Sequence, residues 1–157
     1  VGIGGDQAAV RHRVGPQLDG AVQRRELDLP GPAETGEPAE QVGHGIAVDA
    51  QQGLVYVADR GNFRIQVYDT DLNFKKTITG VGAPWTMQVT AKYIYSGDGN
   101  GKLYQLDKNT AKLLGWAQTS LGRGQTGCLI HSIHAQSDNV LYKGSCTLWD
   151  VEKITIK

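Results

Sequence analysis

Short runs of alternating apolar and polar residues recur along residues 43–157, and clusters of glycine, asparagine or aspartate separate them. Alternation over five or six residues predicts a β-strand, and the clusters predict hairpin turns. The runs form three units. In the first two units they lie at 44–48, 54–59, 65–69 and 75–79, and at 85–89, 93–98, 103–107 and 113–117. In the third unit they lie at 131–135, 140–145 and 149–154.

Three tyrosines align these units with one another. Tyr56, Tyr95 and Tyr142 each lie three residues before the polar residue that ends the second strand of the unit. A repeat of roughly 40–45 residues with four short strands is typical of a β-propeller blade. The sequence therefore predicts an all-β fold, a partial β-propeller of about three four-stranded blades. We place the blades at 43–82, 83–124 and 125–157.

Residues 1–42 differ in character from the rest of the chain. They contain no aromatic residue and four of the five prolines. Their four basic and seven acidic side chains give a formal charge of −3, against +3 for residues 43–157. This composition predicts a low-complexity leader that is loop-like or disordered. Its origin stays open: it is either an ordinary low-complexity linker, or a coding region translated in an unintended frame or a vector-derived leader.

The composition of the whole chain excludes several classes of protein. Its 16 basic and 16 acidic side chains balance, which disfavours a nucleic-acid partner. No apolar run approaches the roughly 18–20 residues that span a membrane. Cys128 precedes and Cys146 follows a predicted hairpin, so a disulfide between them is geometrically possible, and two free thiols are the alternative. A disulfide would favour a periplasmic or secreted location.

The first unit resembles the NHL-repeat family. It has His44-Gly-Ile-Ala-Val48, then Leu54-Val-Tyr-Val-Ala-Asp59, then Asn62-Phe-Arg-Ile-Gln-Val67. The second unit has Trp85 in place of the initial histidine, and the third keeps His131 but lacks the aspartate and the arginine. The resemblance implies a propeller fold. It is less specific as to function, since propellers have many functions.

The propeller fold predicts where polar residues meet. In each blade the first strand begins, and the second ends, at the same mouth of the central channel. We therefore expect His44, Trp85 and His131 to surround one mouth. The loop residues expected there are Asp59, Arg60, Asn62, Arg64, Asp98 and Asn100. Structural roles in the turn are the alternative for Asp59, Asn62 and Arg64, and packing is the alternative for Trp85.

The resemblance also implies metal chemistry. Histidines at such strand starts hold a catalytic zinc in the peptidyl-hydroxyglycine amidating lyase, and His44 and His131 match that position. The related paraoxonase-like and gluconolactonase-like lactonases hold calcium through oxygen ligands. Asp59, Asp98 and Asn100 offer such oxygens. We therefore expect a calcium site, with zinc as the alternative, formed by these five residues.

The function predicted from this site is metal-dependent hydrolysis of lactones or esters, including acyl-homoserine lactones. The metal would polarise the carbonyl group and activate water, with His131 or His44 as the general base. The candidate substrate-binding residues are Arg60, Arg64, Trp85 and Trp149. The alternative is a non-catalytic binding module for protein or glycan partners.

Three blades do not close a ring, because closed propellers have roughly 4–8 blades. Two ways of covering the open ends of the three-blade stack are consistent with the sequence. Two chains could form a homodimer that completes a six-bladed ring. Alternatively, the leader covers one open side, and the chain is a piece of a longer propeller.

Overall fold

Three antiparallel β-sheets form the part of the chain that the computed structural model describes, residues 43–119 and 127–157. The first sheet has the strand order β1-β2-β3-β4. Its strands are β1 (Gly43–Asp49), β2 (Leu54–Asp59), β3 (Arg64–Asp69) and β4 (Phe74–Thr79), and a short 3-10 turn, Arg60–Asn62, joins β2 to β3. The predicted leader, residues 1–42, lies outside the described residues.

The second sheet repeats this order, and the third has three strands within the described residues. The second consists of β5 (Pro84–Val89), β6 (Tyr93–Asp98), β7 (Lys102–Asp107) and β8 (Leu113–Gln118). The third consists of β9 (Ser132–Ala135), β10 (Val140–Ser145) and β11 (Asp150–Thr155). The predicted all-β partial propeller is confirmed. The predicted boundary at 124–125 falls outside the described residues.

Two layers of apolar side chains join the three sheets. The first lies between sheets one and two and includes Tyr56, Ile65 and Ile94, all fully buried. The second lies between sheets two and three and includes Tyr95 and Leu141. Burial of each large apolar side chain contributes roughly 1.5–3 kcal/mol. Successive sheets therefore stack face to face, as propeller blades do.

The repeated tyrosines show the direction of this stacking. Tyr56 and Tyr95 are completely buried, each on the face that its sheet turns toward the next. Tyr142 is only half-buried on the corresponding face of the third sheet. No further sheet covers that face in the described part of the chain.

Apolar side chains are exposed at both ends of the stack of sheets. Ile46 and Val48 on β1 are 67% and 58% exposed on the face turned away from the second sheet. Val151 on β11 is 76% exposed at the other end of the stack. Exposed apolar patches of this kind are typical of interfaces. Among the described residues no helix is long and apolar enough to cross a membrane.

A buried ion pair joins the first two sheets at the end remote from the predicted mouth. Lys108 Nζ lies 2.9 Å from Asp49 Oδ2, and both side chains are at least nine-tenths buried. Burial alone would raise the pKa of Asp49, but Lys108 and the backbone N–H groups of Gln51 and Gln52 outweigh it and lower the pKa. The pair therefore favours one alignment of the two sheets.

Candidate functional site

The first strands of the three sheets bring His44, Trp85 and His131 together. The rings of His44 and Trp85 have their centroids 4.4 Å apart, and those of Trp85 and His131 6.5 Å apart. The approach of β1 to β5 depends on Gly45, since a Cβ there would lie 2.7 Å from the Trp85 carbonyl oxygen. The three residues thus lie at one end of the stack, where the propeller fold places the channel mouth.

Arg60 completes this group, which we call the mouth cluster: His44, Arg60, Trp85 and His131. The 3-10 turn after β2 carries Arg60, and its Cζ lies 4.2 Å from the centre of the Trp85 ring. A guanidinium group over an indole face is a favourable cation–π contact. Among the described residues, the Arg60 side chain makes no ion pair or hydrogen bond. Its N–H donors are therefore available to a ligand.

The Trp85 indole packs both against the backbone at Gly99 and against other residues of the mouth cluster. Its indole lies against Gly99, where a Cβ would come within 2.6 Å of Trp85 Nε1. His44 and Arg60 also pack on the ring. The indole is therefore largely occupied by the protein's own groups.

Asp59 lies behind the cluster and is fully buried. Its carboxylate accepts hydrogen bonds from Arg64 Nε at 2.7 Å, Asn62 Nδ2 at 2.8 Å and Gln66 Nε2 at 3.1 Å. The contact with Arg64 is also an ion pair. These bonds connect the end of β2 to the turn and to β3. Asp59 and Arg64 thus stabilise the loop that positions Arg60.

Asp98 has the equivalent place in the second sheet and is buried too. Its Oδ1 accepts the backbone N–H groups of Asn100 and Lys102, both at 2.9 Å, and Tyr104 Oη donates to Oδ2 at 3.3 Å. Burial, and then the Asp98 charge, raises the pKa of Tyr104 to about 12. The Asn100 residue is exposed, and its carbonyl oxygen accepts from Gln118.

The predicted metal ligands can be compared with this geometry. His44 and His131 belong to the mouth cluster, whereas the carboxylates of Asp59 and Asp98 each already accept three hydrogen bonds from the protein. Within residues 43–119 and 127–157, no three His, Cys, Asp or Glu side chains are grouped as a metal ion requires. Among the described residues, the predicted ligands are therefore not grouped as a metal site.

The third sheet contributes a groove beside His131. The groove has a volume of about 380 Å³, and its lining includes His131, Ser132, Trp149, Asp150 and Val151. Trp149, a predicted substrate-binding residue, is 91% exposed there.

Cys128 and Cys146 form a disulfide, which was one of the two alternatives that the sequence allowed. Their Cα atoms are 5.7 Å apart, and Cys146 lines the groove beside His131. The backbone N–H of Cys146 also donates to the Cys128 carbonyl oxygen at 3.2 Å. The segment that begins the third sheet, and with it His131, is thereby tied to the end of β10.

Sequence reasoning missed the exposed aromatic residue in the first sheet's turn. Phe63 follows the 3-10 turn, has a positive φ of 55° and is 64% exposed. Aligning the turns rather than the strands could have found it, because Phe63 and Trp149 each immediately precede the third strand of the sheet.

Comparison with known proteins agrees with this architecture. Residues 44–68 match the NHL repeat model. The chain is similar to BamB from Moraxella catarrhalis, with a TM-score of 0.56 at 14% identity over 76% of this chain and 35% of that one. It is also similar to glutaminyl cyclase from Myxococcus xanthus, with a TM-score of 0.53 at 21% identity over 71% and 47%. No curated protein sequence matches.

These likenesses concern the fold, because their sequence identities are low. They confirm the β-propeller fold predicted from the sequence, and the match to the NHL repeat model covers one unit of it, residues 44–68. The chain spans less than half the length of either solved structure.

Proposed function

We propose that this chain is the ligand-binding part of an NHL-type β-propeller, and that its mouth cluster binds a carboxylate group of the ligand. The observation that supports the proposal is the Arg60 guanidinium, which is stacked on Trp85 and has no acidic partner among the described residues. A planar guanidinium can donate two parallel hydrogen bonds to a carboxylate.

The surroundings of Arg60 favour an anion. The nearest acidic residue in sequence, Asp59, is buried and paired with Arg64. Asp98 is also buried and accepts hydrogen bonds from its own turn. His44 and His131 are exposed beside the indole and can donate further hydrogen bonds. A ligand carboxylate would therefore meet donors and little repulsion.

The stacking of Arg60 also lowers the cost of binding. A free arginine side chain loses roughly 2 kcal/mol of rotamer entropy when it is immobilised. Here the indole already restricts the guanidinium before a ligand arrives. Pre-ordering of this kind raises affinity without any new contact.

A titration with two carboxylate-bearing probes tests the proposal. Hexaglutamate represents an acidic peptide, and oligogalacturonate represents an acidic glycan. We expect calorimetry in low salt to detect binding of one of them, and Arg60→Ala to weaken it at least tenfold. Lys112→Ala is the matched control, because it removes one exposed positive charge from the turn at the opposite end of the second sheet. The proposal would be overturned if neither probe binds, or if the Arg60→Ala and Lys112→Ala variants bind the probe with equal affinity.

Metal-dependent hydrolysis stays a prediction. It requires ligands beyond those that the described residues group together, supplied by a second copy or by further sheets of a closed ring. Metal analysis of the purified protein, followed by a lactone panel with and without chelator, tests it directly. Stoichiometric calcium or zinc with chelator-sensitive turnover would replace the binding proposal by the hydrolase.

A further inference from the structure

In each sheet one residue directly follows the second strand and begins the turn at the mouth end. This residue is Arg60 in the first sheet, Gly99 in the second and Cys146 in the third. Two of the three sheets thus form the turn with a side chain at this position. A glycine here is therefore not a requirement of the fold.

The backbone conformation at Gly99 does not require a glycine either. Glycine is needed mainly where φ lies in the left-handed region. Gly101, two residues later, has a left-handed φ of 87°, whereas the φ of Gly99 lies outside that region. An alanine at position 99 would therefore meet no strain in its own backbone.

The Trp85 indole supplies the reason for the glycine. A Cβ at Gly99 would lie 2.6 Å from Nε1 of Trp85, 2.7 Å from Cε2 and 3.0 Å from Cζ2. Ordinary contact begins at 3.4 Å, so the rigid indole would have to move by about 0.8 Å. The two sheets with a side chain at this turn position have His44 or His131 where the second has Trp85. The glycine thus accompanies the tryptophan.

The position of this indole in turn determines the position of the Arg60 guanidinium. Arg60 belongs to the neighbouring sheet, and its Cζ lies 4.2 Å from the centre of the Trp85 ring. Two parallel hydrogen bonds to a carboxylate require a defined orientation of the guanidinium plane. A displaced or tilted indole would no longer hold the guanidinium in that orientation before the ligand arrives.

Gly99 also bonds to the segment that carries His131. Its carbonyl oxygen accepts a hydrogen bond from Leu129 N at 3.0 Å. This bond involves only backbone atoms, so an alanine at position 99 can retain it. A substitution of Gly99 by alanine therefore perturbs the contact with the indole and leaves the attachment of the third sheet in place.

We propose that Gly99 is a positioning residue of the mouth cluster. Because it lacks a Cβ, the Trp85 indole can lie where the Arg60 guanidinium stacks in the orientation that receives a carboxylate. Gly99 acts through Trp85 and not by contact with the ligand. This inference rests on the proposed binding function and identifies a residue outside the mouth cluster that determines its affinity.

Calorimetry of Gly99→Ala with hexaglutamate and oligogalacturonate tests this role. Immobilising one long side chain costs about two- to tenfold in affinity, so we expect a loss of about fivefold. Gly115→Ala is the matched control. It adds the same methyl group to a glycine of the same sheet, at a position where no heavy atom lies within 4 Å of the Cβ. We expect this control to bind as the parent chain does.

A double variant separates positioning from a general effect on the fold. Phenylalanine has no indole Nε1, so Trp85→Phe leaves space for a Cβ at position 99 and keeps an aromatic face for Arg60. We expect Trp85→Phe to bind more weakly than the parent chain, and Gly99→Ala to cause no further loss in that background. The inference is overturned if the double variant binds more weakly than Trp85→Phe or does not fold. The same comparison decides the question if Gly99→Ala alone fails to fold.

The outcomes also distinguish this inference from the proposed function. If a probe binds through Arg60 but Gly99→Ala and Gly115→Ala bind it equally well, the positioning role fails and the proposed function stands. If neither probe binds the parent chain, the proposed function fails and the positioning role fails with it.

Discussion

Replacement of Asp59 by alanine tests whether this carboxylate is structural. In the fold it is fully buried and accepts three side-chain hydrogen bonds, from Arg64, Asn62 and Gln66. Removing one partner of a buried ion pair costs about 3–5 kcal/mol, since the other charge remains without compensation. Arg64 keeps 14% exposure, so water can solvate its guanidinium in part. We therefore expect a loss at the lower end of the range of about 3–5 kcal/mol, that is, about 3 kcal/mol in the free energy of unfolding.

Urea denaturation followed by circular dichroism measures this loss. For a chain of this size, about 3 kcal/mol corresponds to a fall of roughly 6–12 °C in melting temperature. Asn62→Ala is the control, because it removes one neutral donor from the same carboxylate. We expect it to cost only about 1 kcal/mol.

Two results would refute the structural reasoning. Asp59→Ala could unfold within about 0.5 kcal/mol of the parent chain, the range expected of surface substitutions. Alternatively, its loss of stability could arise only when calcium is present. The second result would show that the carboxylate is a metal ligand, as the lactonase resemblance implies.

Two further predictions concern the third sheet and the response to acid. Replacing Cys128 and Cys146 by serine should lower the free energy of unfolding by about 3 kcal/mol, because the disulfide closes a loop between residues 18 apart in sequence. Urea denaturation measures this loss, and a value below about 1 kcal/mol would contradict the prediction. Hydrogen bonds lower the pKa values of Asp107 and Asp138, principally those from Thr110 and Thr90. Their stabilisation is complete above the unfolded value near 3.9 and is lost as pH falls through the lower folded values. Melting temperatures should therefore fall below about pH 4, and a constant value between pH 5 and pH 2 would contradict the assignment.

The strand pattern could be predicted because it depends on local chemistry. Alternation with a period of two determines which residues can share a buried face, and the tyrosine repeat aligned the three units correctly. Tyr56 and Tyr95 are both buried as this alignment requires. The convergence of His44, Trp85 and His131 was also predictable, since it follows from the topology of a propeller once the repeat is recognised.

The partners of individual side chains were not predictable in the same way. Asp59 and Asp98 occupy equivalent positions in sequence, yet one pairs with an arginine and the other with backbone N–H groups and a tyrosine. The buried pair of Asp49 and Lys108 joins residues of different sheets. Such contacts depend on distances set by the packing of the whole stack, which no short stretch of sequence encodes.

The sequence by itself determined the blade repeat, the strands and the end of the stack at which polar residues gather. Only the tertiary structure decided what that end can do. It showed the Arg60 guanidinium stacked on Trp85, the Asp59 carboxylate satisfied by its own loop, and the Trp149 indole exposed on a turn held by a disulfide. The physical reason is that strand pattern is local, whereas the availability of a polar or aromatic group depends on every neighbour that packs against it.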